Sequence, residues 1–142
     1  MIDISEKQIV ARRAVAQGEI KLRKETLEAI RKKIVKKGDV LECAKVACAS
    51  AVKNTSQLIP FCHQVPITSV NVEFELKESS IICRCEVKAD YKTGVEMEAL
   101  VGISAALLTI WDMVKYLEKD GKGQYPFTKI GNIRIIKKEK GD

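Results

Sequence analysis

The sequence predicts an α+β fold in which helices pack on one face of an antiparallel sheet. Residues 70–76 and 81–89 alternate apolar and polar side chains on either side of a short polar turn, a pattern typical of a β-hairpin. Residues 95–119 instead repeat apolar side chains at helical spacing. With 142 residues, the chain can bury a core without disulfides or a structural metal, so we expect one domain over residues 1–142.

The first part of the chain predicts a strand and two helices. Residues 12–22 (RRAVAQGEIKL) mix alternation with a glycine and indicate an early extended segment or one arm of a hairpin. Residues 26–35 repeat apolar side chains at helical spacing and predict a short amphipathic helix that ends near residues 37–38. Asp39 is then the expected N-cap of a second helix, residues 40–54, whose small side chains suit packing against a sheet or a second subunit.

The second part predicts a loop, the hairpin, a long helix and a last strand. Residues 54–66 contain two of the three prolines and predict a loop or a broken turn of helix. The long helix, residues 95–119, is expected to be the main buried helix, with apolar side chains at Met97, Leu100, Val101, Leu107, Leu108, Trp111 and Val114. Residues 131–136 (GNIRII) predict a final strand. The order β-α-α-β-β-α-β is that of a ferredoxin-like sandwich.

The charge balance favours an anionic partner. Lys and Arg number 25 against 19 Asp and Glu, for a formal net charge of +6 and a pI near 9.1. The excess is concentrated in residues 21–39, where eight basic residues stand against three acidic ones. RNA, a membrane surface or a nucleotide would each match this charge, and a solvated helix face is the structural alternative.

Apolar runs and cysteines indicate a cytoplasmic protein. We expect no membrane partner, because no apolar run approaches the ~18 residues of a membrane helix and the N-terminus lacks an export signal. The five cysteines include no CxxC pair, so buried thiols are expected rather than disulfides or a zinc site. They are Cys43, Cys48, Cys62, Cys83 and Cys85.

Three regions of the sequence carry side chains suited to catalysis. His63 is the only histidine, and its proline-bounded loop could aim it into a site, although a structural role is the alternative. Glu96 and Glu98 begin the long helix, where they either serve a site or compensate the helix dipole. Asp112 and Lys115 share one helix face within an apolar run, and a charged pair buried there is either structural or catalytic.

Five short phrases in the sequence occur together in a known family. They are KGDV (37–40), AVKNT (51–55), LIPFCH (58–63), TGVEMEAL (93–100) and DMVK (112–115). Over nearly its whole length the chain resembles the cyclic pyranopterin monophosphate synthase family, the molybdenum cofactor biosynthesis protein C family. The resemblance implies an enzyme that converts 3′,8-cyclo-7,8-dihydro-GTP to cyclic pyranopterin monophosphate and releases pyrophosphate. It also implies a homohexamer built as a trimer of dimers and no required cofactor, although Mg²⁺ can accompany the triphosphate.

The resemblance also implies roles for individual residues. Asp112 matches the active-site aspartate of the family, and Lys37 and Lys115 match lysines implicated in catalysis. The substrate-binding positions it implies are Phe61, Cys62, His63, Met97 and Glu98, with Arg12, Lys53, Glu96 and Lys138 in support. The chain departs from the family in two places. Gln64 stands where the family usually has proline, and the glycine-rich C-terminal tail is shortened to residues 139–142.

Helix geometry separates two of these residues. Glu98 and Asp112 are fourteen residues apart, so on one continuous helix they would share a face but stand roughly 21 Å apart. One small reacting centre cannot touch both. We therefore expect the site to combine Glu98 of one chain with Asp112 of another across a two-fold axis, the alternative being a substrate that spans the whole distance.

Two other classes of protein fit the sequence less well. A basic α+β module that binds RNA or nucleotide without catalysis would carry aromatic side chains on its sheet. Only seven residues are aromatic, and the predicted hairpin strands hold one of them, Phe74. A metal-dependent redox or hydrolytic enzyme would need more ligands near His63.

Overall fold

Four antiparallel strands form the sheet on which the helices pack. The computed structural model describes residues 1–141. Within them, β1 (Val10–Lys21), β2 (Ile67–Leu76), β3 (Ser80–Tyr91) and β4 (Lys129–Lys140) lie in the order β2-β3-β1-β4, with all neighbours antiparallel. The helices are α1 (Lys24–Arg31), α2 (Val40–Lys53), the single turn α3 (Thr55–Leu58) and α4 (Glu96–Glu118). This topology confirms the predicted α+β, ferredoxin-like sandwich.

The two faces of the sheet differ because side chains alternate along each strand. Ala14 and Ala16 of β1 are fully buried beneath the helices. Arg13, the residue before Ala14, lies on the opposite face, where its guanidinium donates to Glu86 of β3 at 2.6 Å and to Glu139 of β4 at 3.2 Å. The helix side of the sheet is therefore the apolar core, and the open side carries a network of charges.

Three cysteines belong to this core. Cys48 of α2 and Cys83 and Cys85 of β3 are buried free thiols, and the Sγ atoms of Cys48 and Cys85 are 3.3 Å apart. Burial raises the pKa of Cys83 to about 12, which keeps it a thiol. The packing prediction is confirmed for these three and is wrong for Cys43, which is exposed because its face of α2 is turned toward solvent.

Helix α4 packs across β1, β3 and β4 and also against α2. Two glycines permit its close approach. A Cβ at Gly18 would lie 2.6 Å from Leu107 Cδ1, and one at Gly102 would lie 2.6 Å from Val52 Cγ2. Contrary to the expectation from apolar runs, α4 is long and apolar enough to cross a membrane, with a mean hydropathy of 1.6. Its packing against the sheet and α2 is instead that of a core helix.

The buried face of α4 matches the predicted one only in part, since Leu107 and Val114 are buried as predicted. Its fully buried apolar residues include Ala99, Ile103, Ala106, Leu107 and Ile110. Met97 and Leu108, predicted to be buried, are exposed, Leu108 to 62%. The helix is apolar on nearly all sides, so its periodicity does not distinguish the face that meets the sheet from the face that does not.

Helix α1 is shorter than predicted. It ends at Arg31, and Lys33 then adopts a left-handed φ of 57°. The N–H of Ile34 bonds the carbonyl of Ala29 at 3.1 Å, as in a Schellman C-cap. This reversal exposes Ile34 and buries Val35 in its place.

The other boundaries agree with the sequence more closely. The carboxylate of Asp39 accepts from the N–H of Glu42 at 3.2 Å, which confirms the predicted N-cap of α2. The turn α3 confirms the broken helical turn expected within residues 54–66. The observed β4 is longer than the predicted 131–136, because its polar residues continue to pair with β1 as far as Lys140.

Glu118, at the end of α4, is a buried carboxylate that joins three elements. The residue is 1% exposed. It accepts hydrogen bonds from the backbone N–H of Arg23 at 3.1 Å, from the Thr128 hydroxyl at 2.7 Å and from the Thr26 hydroxyl. The carboxylate thereby ties the end of α4 to the start of α1 and to the segment before β4.

Replacing this carboxylate should destabilise the fold. We expect Glu118→Ala to lower the free energy of unfolding by about 3 kcal/mol, because three donors lose their acceptor in the interior. Urea denaturation followed by circular dichroism measures the loss. The control is Glu25→Ala, at an exposed position of α1, which should change stability by less than about 0.5 kcal/mol. Equal losses in the two variants would contradict the role given to Glu118.

Candidate active site

A cavity of about 260 Å³ lies at the N-terminal end of α4. Three segments line it: the N-terminal residues, the loop between α3 and β2, and residues 93–98. Six of the predicted site residues are among those lining it, namely Phe61, Cys62, His63, Glu96, Met97 and Glu98. The structure therefore brings the two main predicted motifs into one site.

The sheet register explains why these motifs meet. Ile67, at the start of β2, pairs with Ala89 near the end of β3. The loop that precedes β2 and the segment that follows β3 therefore leave the sheet at the same end. The first of these carries His63, and the second passes through Gly94 into the first turn of α4.

Glu98 is the buried acidic group of the cavity. The residue is 3% exposed, and burial raises the pKa of its carboxyl, with a further contribution from the charge of Glu96. Burial also raises the pKa of Cys62, and the charge of Glu98 adds to that effect. Cys62 is thus held as a thiol, which is unfavourable for a nucleophile.

Glu96, two residues earlier, has the opposite electrostatic setting. Partial burial acts to raise its pKa, but Lys138, the backbone N–H of Glu96 and the charge of Arg12 together hold that pKa below its ordinary value. Lys138 Nζ is 2.9 Å from Glu96 Oε1. Arg12 is itself fixed by hydrogen bonds to the carbonyls of Tyr91 and Lys92 at 3.3 and 3.1 Å.

The carboxylate of Glu96 folds back over Gly94. A Cβ at position 94 would lie 2.5 Å from both carboxylate oxygens, so a larger residue there would displace the Glu96 carboxylate from this position. The lowered pKa of Glu96 favours its ionised carboxylate, whereas the raised pKa of Glu98 favours its neutral acid. When the pKa values of two carboxyl groups are shifted in opposite directions, one group can act as the anion and the other as a proton donor.

A second cluster lies at the other end of α4. The carboxylate of Asp112 forms salt bridges with Lys37 and Lys115, and each Nζ atom is 3.1 Å from a carboxylate oxygen. Hydrogen bonds from Lys115 and Lys37, with their charges, lower the pKa of Asp112, so this group is held as the anion. The pair was expected to be buried in an apolar run, but the Asp112 side chain is 59% exposed, because it lies on the outward face of the helix.

The structure does not bring the two clusters together within one chain. Glu98 and Asp112 lie on the same uninterrupted helix, about 21 Å apart by helical rise. Arg12, Glu96 and Lys138 group with the cavity, whereas Lys37, Asp112 and Lys115 form the distant cluster. Lys53 is exposed at the end of α2 and is not among the residues that line the cavity.

Several residues at the two clusters were not predicted from sequence. Ile2, Ile4 and Lys7 line the cavity, although the first ten residues show little periodicity. At the second cluster the Tyr116 hydroxyl accepts from the N–H of Lys36 at 2.8 Å. The spacing of Tyr116 four residues after Asp112 could have indicated that both share one helix face.

Two segments, the one around Gln64 and the C-terminal residues, differ from the family pattern, and the structure describes the first and residues 139–141 of the second. Gln64 is exposed, and the neighbouring Cys62 and His63 still line the cavity. The backbone of residues 139–141 continues the sheet, because the N–H of Gly141 donates a hydrogen bond to the carbonyl of Ala11 at 2.8 Å. Within residues 1–141, no three His, Cys, Asp or Glu side chains are grouped so as to hold a metal ion.

Known proteins are similar to this chain over nearly its whole length. The MoaC family matches residues 1–141. A probable cyclic pyranopterin monophosphate synthase of Thermococcus kodakarensis is 54% identical over all of this chain and 91% of its own length. One of Methanococcoides burtonii is 58% identical over 99% of this chain and 88% of its own. A Methanothermobacter thermautotrophicus protein, 55% identical over 99% of this chain and 88% of its own, is named a probable accessory protein of that synthase.

Substitutions of Glu98 and Glu96 should change stability in opposite directions. Both carboxyls have an ordinary pKa of 4.5. The raised pKa of Glu98 means that its contribution to stability falls as the pH rises above 4.5, so Glu98→Gln should stabilise the protein at pH 8. The lowered pKa of Glu96 means that its ionised form stabilises the fold above pH 4.5, so Glu96→Gln should destabilise it at pH 8.

Thermal unfolding at pH 8 and at pH 4 measures both effects. Each unit of pKa shift corresponds to about 1.4 kcal/mol, and both differences from the parent protein should shrink toward pH 4. The two variants serve as controls for each other, since they make the same chemical change two positions apart. If both variants changed the melting temperature in the same direction at pH 8, the opposite pKa shifts assigned to the two carboxyls would be contradicted.

Proposed function

Because the chain belongs to the MoaC family, we propose that it converts 3′,8-cyclo-7,8-dihydro-GTP to cyclic pyranopterin monophosphate with release of pyrophosphate. It is an enzyme of molybdenum cofactor biosynthesis of the cyclic pyranopterin monophosphate synthase type. The observation that carries this assignment to particular residues is the cavity in which the His63 loop meets Glu96 and Glu98.

The phosphate part of the reaction fits the second cluster. Closing the cyclic phosphate joins a substrate hydroxyl oxygen to the α-phosphorus, breaks the bond from that phosphorus to pyrophosphate and releases the hydroxyl proton. Lys37 and Lys115 would neutralise the departing pyrophosphate. Asp112, held as an anion between them, would accept the proton.

The ring rearrangement fits the cavity. Opening and closing rings requires protons to be delivered to and removed from nitrogen and oxygen atoms. Glu98, which burial favours in its neutral form, would donate a proton, while Met97 and Phe61 supply apolar contact for a ring system. Arg12 and Lys138 hold Glu96 in place and add positive charge beside the site, and Lys53 would contribute charge from the end of α2.

The complete site would combine two chains. On the outward face of α4, Met97, Val101, Ala105 and Leu108 form an apolar strip between the two clusters, and Leu108 is 62% exposed. Pairing this strip with that of a second copy across a two-fold axis would bury it and place Glu98 of one chain beside Asp112 of the other, twice. Three such dimers would give the hexamer.

The chemistry of the reaction also bears on the cofactor and the cellular compartment. The reaction changes no oxidation state overall and needs no resident cofactor, and Mg²⁺ would enter only with the triphosphate. The thiols in the core suit a reducing compartment, and we place the enzyme in the cytoplasm with no nucleic-acid or membrane partner.

Incubation of the purified protein with 3′,8-cyclo-7,8-dihydro-GTP tests the function. We expect stoichiometric pyrophosphate and cyclic pyranopterin monophosphate, measured by a coupled phosphate assay and by chromatography. Asp112→Asn should lower turnover by at least roughly a hundredfold with little change in melting temperature, because its ion pairs are exposed. Asp90→Asn, also exposed, is the matched control and should retain activity. Absence of turnover together with salt-dependent RNA binding would favour a binding module instead.

Mixing two inactive variants tests the shared site. Asp112→Ala and Glu98→Ala chains should each be nearly inactive alone. After co-refolding they should regain about a quarter of the wild-type sites, because half of random dimers are mixed and each mixed dimer has one intact site. Two batches of Asp112→Ala refolded together are the control. If mass spectrometry shows mixed assemblies without recovered activity, both residues serve the site of one chain.

A further inference from the structure

The N-terminal segment, residues 1–9, forms one wall of the cavity. Ile2, Ile4 and Lys7 line it, yet Ile2 is largely exposed and the apolar core does not include the segment. Its own contacts are local turns, such as the hydrogen bond from the Ser5 N–H to the carboxylate of Asp3 at 2.9 Å. Contacts to the rest of the chain must therefore hold it over the cavity.

Two side chains provide such contacts, and both bind backbone carbonyls. His63 Nε2 is 2.7 Å from the carbonyl oxygen of Ile2, and Lys92 Nζ donates to the carbonyl of Ser5 at 3.1 Å. One contact comes from the loop before β2 and the other from the residue that follows β3. The segment thus bridges the two motifs that form the site.

The contact with Ile2 has a consequence for the chemistry of His63. A carbonyl oxygen accepts hydrogen bonds and cannot donate one, so the hydrogen of this pair must belong to Nε2. A neutral imidazole carries one ring hydrogen, and its other nitrogen is then an acceptor. We propose that the main chain of Ile2 positions His63 as its Nε2–H tautomer and leaves Nδ1 as the only acceptor that His63 offers to the substrate.

This assignment makes Ile2 a positioning residue that acts through His63, and it deepens the proposed function. The cavity would then present a donor from Glu98 and an acceptor from His63, a complementary pair for a heterocycle that carries both N–H groups and ring nitrogens. The role depends on the position of the Ile2 carbonyl and not on the Ile2 side chain. The side chain and the backbone can therefore be tested separately.

Nuclear magnetic resonance tests the contact directly, because His63 is the only histidine. In the full chain at alkaline pH, where imidazole is neutral, we expect a resolved and slowly exchanging Hε2 proton together with an unprotonated Nδ1. Ile2→Ala keeps the carbonyl and should keep this signal. A variant that lacks residues 1–4 should lose it, while resonances of the sheet and α4 remain unchanged because the core does not include these residues.

Lys92→Met provides a second variant if the truncated chain folds poorly. It removes the other anchor of the segment, so the exchange of Hε2 should become faster while residues 1–4 are still present. In the activity assay the truncated chain should lose about tenfold in kcat/KM, the effect of one ordering hydrogen bond, and Ile2→Ala should lose less.

Several results would overturn the inference. These are an Nδ1–H tautomer in the full chain, an Hε2 proton that exchanges too fast to observe, or an Hε2 signal that survives removal of residues 1–4. These spectra do not require turnover. If the expected spectra are obtained but no variant converts the substrate, the proposed function fails while the positioning of His63 stands.

Discussion

The close packing of α4 against the sheet is the constraint on which the rest of the structure depends. The helix runs without interruption for 23 residues, and Gly18 and Gly102 let it lie nearer to β1 and α2 than any side chain would permit. Glu118 fixes its far end to α1 and to the segment before β4. A helix held in this way keeps the groups at its two ends at a constant separation.

That separation gives the two clusters different environments. Glu98 lies in the interior at the start of the helix, where burial favours the neutral acid. Asp112 lies in solvent near the end, where two lysines favour the anion. Two carboxyl groups on the same helix thus favour opposite protonation states, the neutral acid at Glu98 and the anion at Asp112. This is the arrangement that a reaction needs when it moves protons at one place and displaces an anionic leaving group at another.

Main-chain carbonyls, as well as side chains, shape the surroundings of the cavity. The carbonyls of Tyr91 and Lys92 fix Arg12, and those of Ile2 and Ser5 receive His63 and Lys92. Contacts of this kind leave no residue-specific trace, because every amino acid carries the same carbonyl. They also explain why a segment with little periodicity can nevertheless shape a site.

The sequence by itself determined the element order, the N-cap at Asp39 and the motifs around His63 and Glu98, because capping, alternation and short motifs are local properties of the chain. Only the tertiary structure decided which face of α4 is buried, since that helix is apolar on nearly all sides and its close contacts depend on Gly18 of β1 and on Gly102 of the helix itself. It also decided that Asp112 is exposed and that α1 ends at Arg31, because a lysine in left-handed conformation carries no sequence signal. The role of residues 1–9 depends on backbone contacts between segments about sixty and ninety residues apart, and no local pattern encodes such contacts.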